Sequence, residues 1–206
     1  SRGLGDVYKR QDNDWADMAC SRFWGYSGFA IKTNGTLWAW GKNSAGQLGI
    51  GNTQAQTAPV QVGADMDWKQ VAAGCSSVLA LKTDGSLWGW GFNMYSELFG
   101  HEGKQLSPVR LGSETDWEQV VVIDFRAYAV KKDGTLWAWG DNANNLLGFN
   151  TPTEEETTAE GNPVEVVTVP QITAPTHVTS IEGKVLTISG CENTLSAVSY
   201  THLTLP

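Results

Sequence analysis

The sequence predicts an all-β protein, a β-propeller fragment of about three four-stranded blades plus a partial fourth. Three observations carry that expectation. Ten Trp and 23 Gly in 206 residues describe an aromatic-packed, turn-rich chain. The block Phe29-Ala-Ile-Lys-Thr-Asn-Gly-Thr-Leu-Trp-Ala-Trp-Gly41 recurs as Leu79 to Gly91 and Tyr128 to Gly140, at offsets of 50 and 49. Strand-like alternation runs on both sides of an Asn-Gly or Asp-Gly pair in every copy.

Each unit reads as four strands. The first begins at the Asp-Trp landmarks Trp15, Trp68 and Trp117. The second and third flank Asn34-Gly35, Asp84-Gly85 and Asp133-Gly134, pairs suited to a two-residue type I′ hairpin. A Gly/Asn-rich loop such as Gly41 to Gly49 follows, its Asn bonding nearby backbone. The fourth strands begin at Pro59, Pro108 and Pro163, where Pro is tolerable at a first or edge position. These landmarks place repeats at 14–63, 67–112 and 116–167, with a partial fourth at 168–197. Its Gly190-Cys-Glu-Asn-Thr-Leu-Ser-Ala197 is similar to Gly74-Cys-Ser-Ser-Val-Leu-Ala80.

Strand side chains alternate, so Trp38 and Trp40 share one face of the sheet while Leu37 and Ala39 share the other. Both faces are apolar and both need cover, which blades stacked around an axis provide. The small residue of Trp-Ala/Gly-Trp suggests a knob-and-hole fit, with Trp rings of one blade over Ala39, Gly89 or Ala138 of the next.

Both termini read as artefact. Residues 6–11 and 198–203 can be encoded by opposite strands of one short oligonucleotide resembling a transposase sequencing adapter, which assigns 1–11 and 198–206 to it. Setting aside Arg2, Lys9, Arg10 and Asp6 leaves 11 cationic against 21 acidic residues, a net charge of −10. Such a segment lacks the basic footprint of nucleic-acid binding. No run of eighteen apolar residues is present to span a bilayer. Three and a fraction blades leave sheet faces open, so the chain is expected to express insolubly.

The pattern Ala-x-Lys-x-Asp/Asn-Gly-x-Leu-Trp-x-Trp-Gly-x-Asn, followed by Gln-Leu-Gly, resembles the repeats of the regulator of chromosome condensation family, above all their Trp-rich bacterial versions. The resemblance covers about Asp14 to Leu111 and Asp116 to Val167. It implies a complete ring of seven blades, a protein-binding role and a place at the cell envelope or outside the cell. Two departures stand out. Where the family commonly has His before the second strand, this chain has Ser27, Ser77 and Arg126, and Phe99 replaces the Gly found at Gly49 and Gly148. With that His missing and no basic tail, a GTPase exchange factor has little support.

Catalytic chemistry is not legible. His101 and His177 have no Ser, Cys or carboxylate partner at a known spacing, and both read as loop residues. The cysteines Cys20, Cys75 and Cys191 read as small buried side chains. Glu154-Glu-Glu156 lacks the alternation and Gly of a calcium loop. No cofactor or metal is expected. The loop before the second strand is the local oddity: Trp15 to Trp38 spans 23 residues against 20 in the other units. It holds Arg22, Phe23, Trp24 and Tyr26, and its counterpart in the third unit holds Phe125 and Arg126. Aromatic and Arg side chains gathered on one face are typical of protein-binding hot spots. The functional expectation is therefore a non-catalytic protein-interaction module of a larger protein. Carbohydrate or cell-wall binding is one alternative, and a targeting propeller attached to an unseen catalytic domain is another.

Overall fold

A computed structural model describes residues 14–21, 26–149, 156–157, 163–164, 171–179, 184–191 and 194–200. The first sheet pairs β1 (Trp15–Cys20), β2 (Ser27–Lys32), β3 (Leu37–Gly41) and β4 (Gln56–Gln61) in chain order, all antiparallel. The second repeats this with β5 (Trp68–Ala73), β6 (Ser77–Lys82), β7 (Leu87–Asn93) and β8 (Gly103–Arg110). The third opens with β9 (Trp117–Ile123), β10 (Arg126–Lys131) and β11 (Leu136–Asp141). A 3-10 turn at Ala143–Asn145 and a short ladder of β12 (Glu156–Thr157) on β13 (Pro163–Val164) intervene before β14 (Gln171–His177) completes that sheet. A last hairpin joins β15 (Lys184–Cys191) to β16 (Thr194–Tyr200), so Val198 to Tyr200 lie in a strand.

The fourth strand of the third sheet is thus β14, not a strand beginning at Pro163. Register fixes the equivalence: Trp137 pairs with His177 as Trp38 pairs with Gln61 and Trp88 with Arg110, which puts Pro175 where Pro59 and Pro108 stand. A longer loop in this unit carries the Pro-Val at 163 away from the sheet. The third sheet therefore runs beyond the expected boundary at 167, and His177 closes a strand rather than sitting in a loop. All three Pro residues lie inside edge strands, where a missing N–H costs no ladder bond.

The central hairpin also differs from expectation. Gly35, Gly85 and Gly134 alone take the left-handed conformation, with φ of 80, 85 and 86°, and their N–H groups donate to the carbonyls of Lys32, Lys82 and Lys131 at 2.8 to 3.0 Å. This is a type I turn followed by a Gly bulge, not the type I′ turn, which needs positive φ at both central residues. The Asx side chain explains the choice. Asn34 Oδ1 accepts from the N–H and hydroxyl of Thr36 at 3.1 and 2.8 Å, and Asp84 and Asp133 do the same for Ser86 and Thr135. The same hydroxyl accepts from the first Trp of the third strand, at 3.0 Å for Trp38, 2.9 Å for Trp88 and 2.9 Å for Trp137.

The Lys of the repeat completes the motif. Lys32 Nζ lies 5.0 Å from the Trp15 ring and 5.4 Å from that of Trp38, with Asp14 at 3.4 Å. Lys82 and Lys131 are held alike between Trp68 and Trp88 and between Trp117 and Trp137. Burial alone would lower the pKa of Lys82, but hydrogen bonds to Asp65 and Asp67 outweigh it and hold the amine above its ordinary value. Changing Lys32 to Met keeps the length of the side chain and removes the charge. About 0.5–1 kcal/mol of stability is expected to go with it, read as a lower urea midpoint; an unchanged midpoint would show the stacked cation to be energetically idle.

Consecutive sheets pack face to face. One core cluster joins Phe29, Ile31, Leu37, Ala39 and Leu48 of the first sheet to Trp68, Val71, Val78, Ala80 and Trp90 of the second. The next joins Leu79, Leu81, Leu87 and Leu98 to Trp117, Val120, Ala127 and Trp139. The indoles thus face the preceding sheet, the reverse of the expected direction. Their holes differ too. Trp90 sits edge-on to Phe29 at 6.4 Å and packs on Gly49, while the space beside Gly89 is filled by Leu79, Leu98 and Leu111. Fully buried Trp90 and Trp139 donate to the carbonyls of Gln47 and Glu97 in the preceding sheet, both at 2.8 Å.

First strands β1, β5, β9 and β15 line up side by side and share one device. A bulge follows Trp15, Trp68, Trp117 and Val185. Beyond it Asp17, Gln70 and Gln119 accept from the amides of Val71, Val120 and Ile188 at 2.8, 2.9 and 3.0 Å. Each side chain thereby continues the ladder into the next sheet.

Candidate functional site

Antiparallel order puts the loops after the first and third strands of every sheet at one end of the stack. A repeated bond ties them together: Lys42, Phe92 and Asp141 donate their amides to the carbonyls of Tyr26, Ser76 and Phe125 at 3.1, 2.9 and 3.0 Å. The Gly preceding each donor makes this approach possible. Gly41, Gly91 and Gly140 have φ of 101, 95 and 105°, and a Cβ there would collide with those same carbonyls.

The longer loops are pinned by one Asn each. Asn43 Oδ1 accepts from the Leu48 amide at 2.9 Å, and its Nδ2 donates to the carbonyls of Asn52 and Gln54 at 2.9 and 3.0 Å. Asn93 and Asn142 accept likewise from Leu98 and Leu147 at 3.0 and 2.9 Å. Phe99 is accommodated by a shift of the left-handed residue. In the first and third loops Gly49 and Gly148 adopt it at 70 and 89°, whereas in the second it moves to Gly100 at 79°. The released Phe99 side chain then packs edge-on against Trp139 at 5.5 Å.

Of the expected binding residues, Arg22, Phe23 and Trp24 lie outside the described residues. Tyr26 is 74% exposed at the rim, on a backbone of positive φ. Phe125 is half-buried and stacks on Tyr95 of the second sheet's loop at 4.8 Å. Arg126 is buried instead of displayed: its Nη2 donates to Asp124 Oδ2 at 3.1 Å, and that charge pair shapes the turn from inside. The structure adds three residues to this face, namely exposed Met94 and Leu146 together with Tyr95. Their signal was present as apolar residues in loops otherwise built from Asn, Ser and Gly, with Met94-Tyr95 standing where the first repeat has Ser44-Ala45.

Beneath the rim lies a polar layer. Glu97 is fully buried and occupies the place of Gln47; its carboxylate accepts from the Tyr95 amide at 2.8 Å and the Ser77 hydroxyl at 3.3 Å. Burial raises its pKa despite these bonds. Ser27, at the position equivalent to Ser77, donates instead to the Lys42 carbonyl at 2.6 Å. Cys75 donates its amide to the Asp124 carbonyl at 3.1 Å, joining the second and third sheets. Its thiol pKa is pushed up to about 11, by burial first and by Asp124 second, so it is no nucleophile at neutral pH. Cys20, by contrast with the buried position expected for it, is exposed. His101 Nε2 lies 3.2 Å from the Arg110 carbonyl and His177 stacks on Trp137, which engages each ring in structure. Among the described residues no cluster of three His, Cys, Asp or Glu could hold a metal ion, and no helix is long and apolar enough to cross a membrane.

Comparison with known proteins agrees with this architecture. The regulator of chromosome condensation (RCC1) repeat model matches residues 34–81, a stretch running from the hairpin of the first sheet through the second strand of the next. No curated protein matches the chain in sequence. Among solved structures, yeast RCC1 (Prp20) bound to Kap60 superposes with a TM-score of 0.69 at 19% identity, over 89% of this chain and 42% of that one. Prp20p of Saccharomyces cerevisiae, described with its binding to Gsp1p and histones, gives 0.67 at 19% identity over 86% and 43%. Human WBSCR16 gives 0.61 at 17% identity over 86% and 56%. The chain therefore spans about half the length of the structures it resembles, and the likeness is one of fold.

Proposed function

From a chain of regulator of chromosome condensation repeats folded as consecutive propeller blades, we propose a non-catalytic protein-interaction module that binds through the loop end of its sheets. The observation that carries this reading is the composition of that end. Tyr26, Met94 and Leu146 are exposed there, at 74, 47 and 42%, and the Tyr95–Phe125 stack bridges two sheets between them. Their backbones are held by repeated hydrogen bonds and pinning Asn residues, so a partner meets a surface whose ordering cost is already met. Solvent-exposed aromatics and Met on a rigid support are typical anchors of protein interfaces. One similar fold, that of Prp20, is described in two structures with protein partners, which favours a protein over a small molecule. The buried polar layer beneath the rim supports the loops and does not reach the partner.

The test begins with capture of a partner by the immobilised chain and its identification, then purification of that partner for affinity measurement. Tyr26→Ala combined with Met94→Ala should weaken binding by about tenfold or more, since hot-spot truncations cost about 2 kcal/mol. A pair of substitutions on the opposite end, Met66→Ala with Lys132→Ala, should leave it unchanged. Equal affinity for both variants would remove the loop end as the site. Retention on a glycan array that the loop-end variant loses would instead assign the same residues to carbohydrate.

A further inference from the structure

The turn between the second and third strands carries an inference independent of the loop end. Asn34-Gly35 is the single Asn-Gly pair in the chain; the second and third repeats have Asp84-Gly85 and Asp133-Gly134 at the same place. All three Asx side chains make the same bonds. Asn34 Oδ1 accepts from the Thr36 N–H and hydroxyl at 3.1 and 2.8 Å, and Asp84 Oδ1 accepts from those of Ser86 at 2.8 and 2.6 Å. The Asn34 amide nitrogen takes no part in these bonds, so a carboxylate serves the turn equally well. Asn34 is exposed at the tip of the hairpin.

Asn followed by Gly is prone to deamidation, because no Cβ shields the next backbone nitrogen. The Gly35 nitrogen attacks Asn34 Cγ, the new C–N bond closes a succinimide ring, and Nδ2 leaves as ammonia with the proton that Gly35 gives up. Water then opens the ring. Cleavage between the nitrogen and Cγ leaves Asp, whereas cleavage between the nitrogen and the main-chain carbonyl leaves isoaspartate, with the chain routed through the side chain and one carbon longer. The folded turn opposes the first step. The Gly35 N–H is held by the Lys32 carbonyl at 2.8 Å and the carboxamide is held by Thr36, so the attacking nitrogen and its target are both engaged.

The same turn joins the first sheet to the second. The Gly35 carbonyl accepts from the Trp68 amide at 3.1 Å, as that of Gly85 accepts from Trp117 at 3.3 Å. At Gly35, with φ of 80°, a Cβ would collide with the Met66 carbonyl. Asp at position 34 leaves this backbone in place, but an extra chain atom ahead of Gly35 moves it out of contact. We propose that Asn34 is a deamidation site guarded by the folded hairpin: the reaction runs when the turn opens, an aspartyl product fits back, and an isoaspartyl product cannot rebuild the joint between the first two sheets.

Mass spectrometry of the tryptic peptide Thr33 to Lys42, which contains no other Asn, tests it. The full chain is incubated at mildly alkaline pH in native buffer and in guanidinium chloride, and the aspartyl and isoaspartyl peptides are resolved against synthetic standards. Asn34 should convert at least about tenfold more slowly in native buffer, the factor reporting how seldom the turn opens. Asn34→Asp should keep the wild-type urea midpoint. Isoaspartyl chains recovered from guanidinium and refolded should have a lower midpoint than Asn34→Gln taken through the same steps, a control for damage at Asp84-Gly85 and Asp133-Gly134. Equal rates in the two buffers would overturn the proposal. So would a lowered midpoint or a lost melting transition in Asn34→Asp, and so would isoaspartyl chains that refold to the midpoint of the control.

Discussion

Replacing Trp90 with Ala is expected to unfold two blades together. The side chain is fully buried, lies edge-on to Phe29 and Trp68 at 6.4 and 6.1 Å, and donates to the Gln47 carbonyl at 2.8 Å. It is therefore one residue in two structures: a member of the third strand of its own sheet and the plug of the sheet before it. Truncating a buried aromatic to Ala costs about 3–5 kcal/mol, and the stranded Gln47 carbonyl adds to that. Native domains have only about 5–15 kcal/mol in total, so the variant should melt far earlier or fail to fold. Trp88 is the internal control. It is half-buried, and its N–H is satisfied by Ser86 inside its own hairpin at 2.9 Å. Trp88→Ala should accordingly cost clearly less. Chemical melts of both variants, followed by circular dichroism, decide the matter; equal losses would mean that the full burial of Trp90 and its bond to the Gln47 carbonyl contribute nothing special.

That difference between two neighbouring indoles marks the limit of what the sequence disclosed. Periodicity identified both as core residues, and it identified the repeat, the four-strand unit and the two apolar faces, because strand alternation is a local property. It did not identify which face points to which neighbour, since the handedness of stacking is not encoded in any single repeat, and the expected direction was the reverse of the one found. Lys32, Lys82 and Lys131 were legible as repeat positions but not as cations held between two rings, because the rings belong to the first and third strands of the same unit and only strand pairing brings them to the Lys of the second. Pro163 misled for a related reason. A Pro-Val pair identifies an edge strand only when its register to Trp137 is known, and the long loop of the third unit destroyed that count. At the loop end Tyr26 is exposed, whereas Arg126 is buried. Its Asp124 partner two residues earlier was visible in the sequence, and a guanidinium with a carboxylate at that spacing can turn inward as readily as outward.

Glu97 gives the second large effect, because here a repeat breaks its own chemistry. The first sheet has Gln47 at this position, with Oε1 accepting from the Ala45 amide at 2.8 Å; the second has a carboxylate in equivalent surroundings, fully buried and bonded to Tyr95 and Ser77. Burial raises the folded-state pKa above the ordinary Glu value near 4.5, so the native protein keeps this proton to higher pH than the unfolded chain does. Over the interval between the two values the native state binds more protons, and linkage makes stability fall as pH rises through it, then level off above the raised value. Asp84 and Asp133 slope the other way. Hydrogen bonds from Ser86 and Thr135 lower their pKa, so stability is lost as pH falls below the ordinary Asp range. Subtracting the profile of Glu97→Gln from that of the wild type isolates the Glu97 contribution. Cys75 is electrostatically coupled to Glu97 but does not titrate in this window, its own pKa being about 11. The amide can accept from Tyr95 and donate to the Ser77 hydroxyl, so Glu97→Gln should be more stable than wild type at pH 7, by about 2 kcal/mol, the scale on which removing a poorly compensated buried charge acts. At a pH below the ordinary Glu value the two proteins should converge. Urea midpoints measured from acid to neutral pH would reveal this as a gap that opens with pH; parallel curves, or a variant weaker than wild type at neutral pH, would mean that the carboxylate is better solvated than its burial implies.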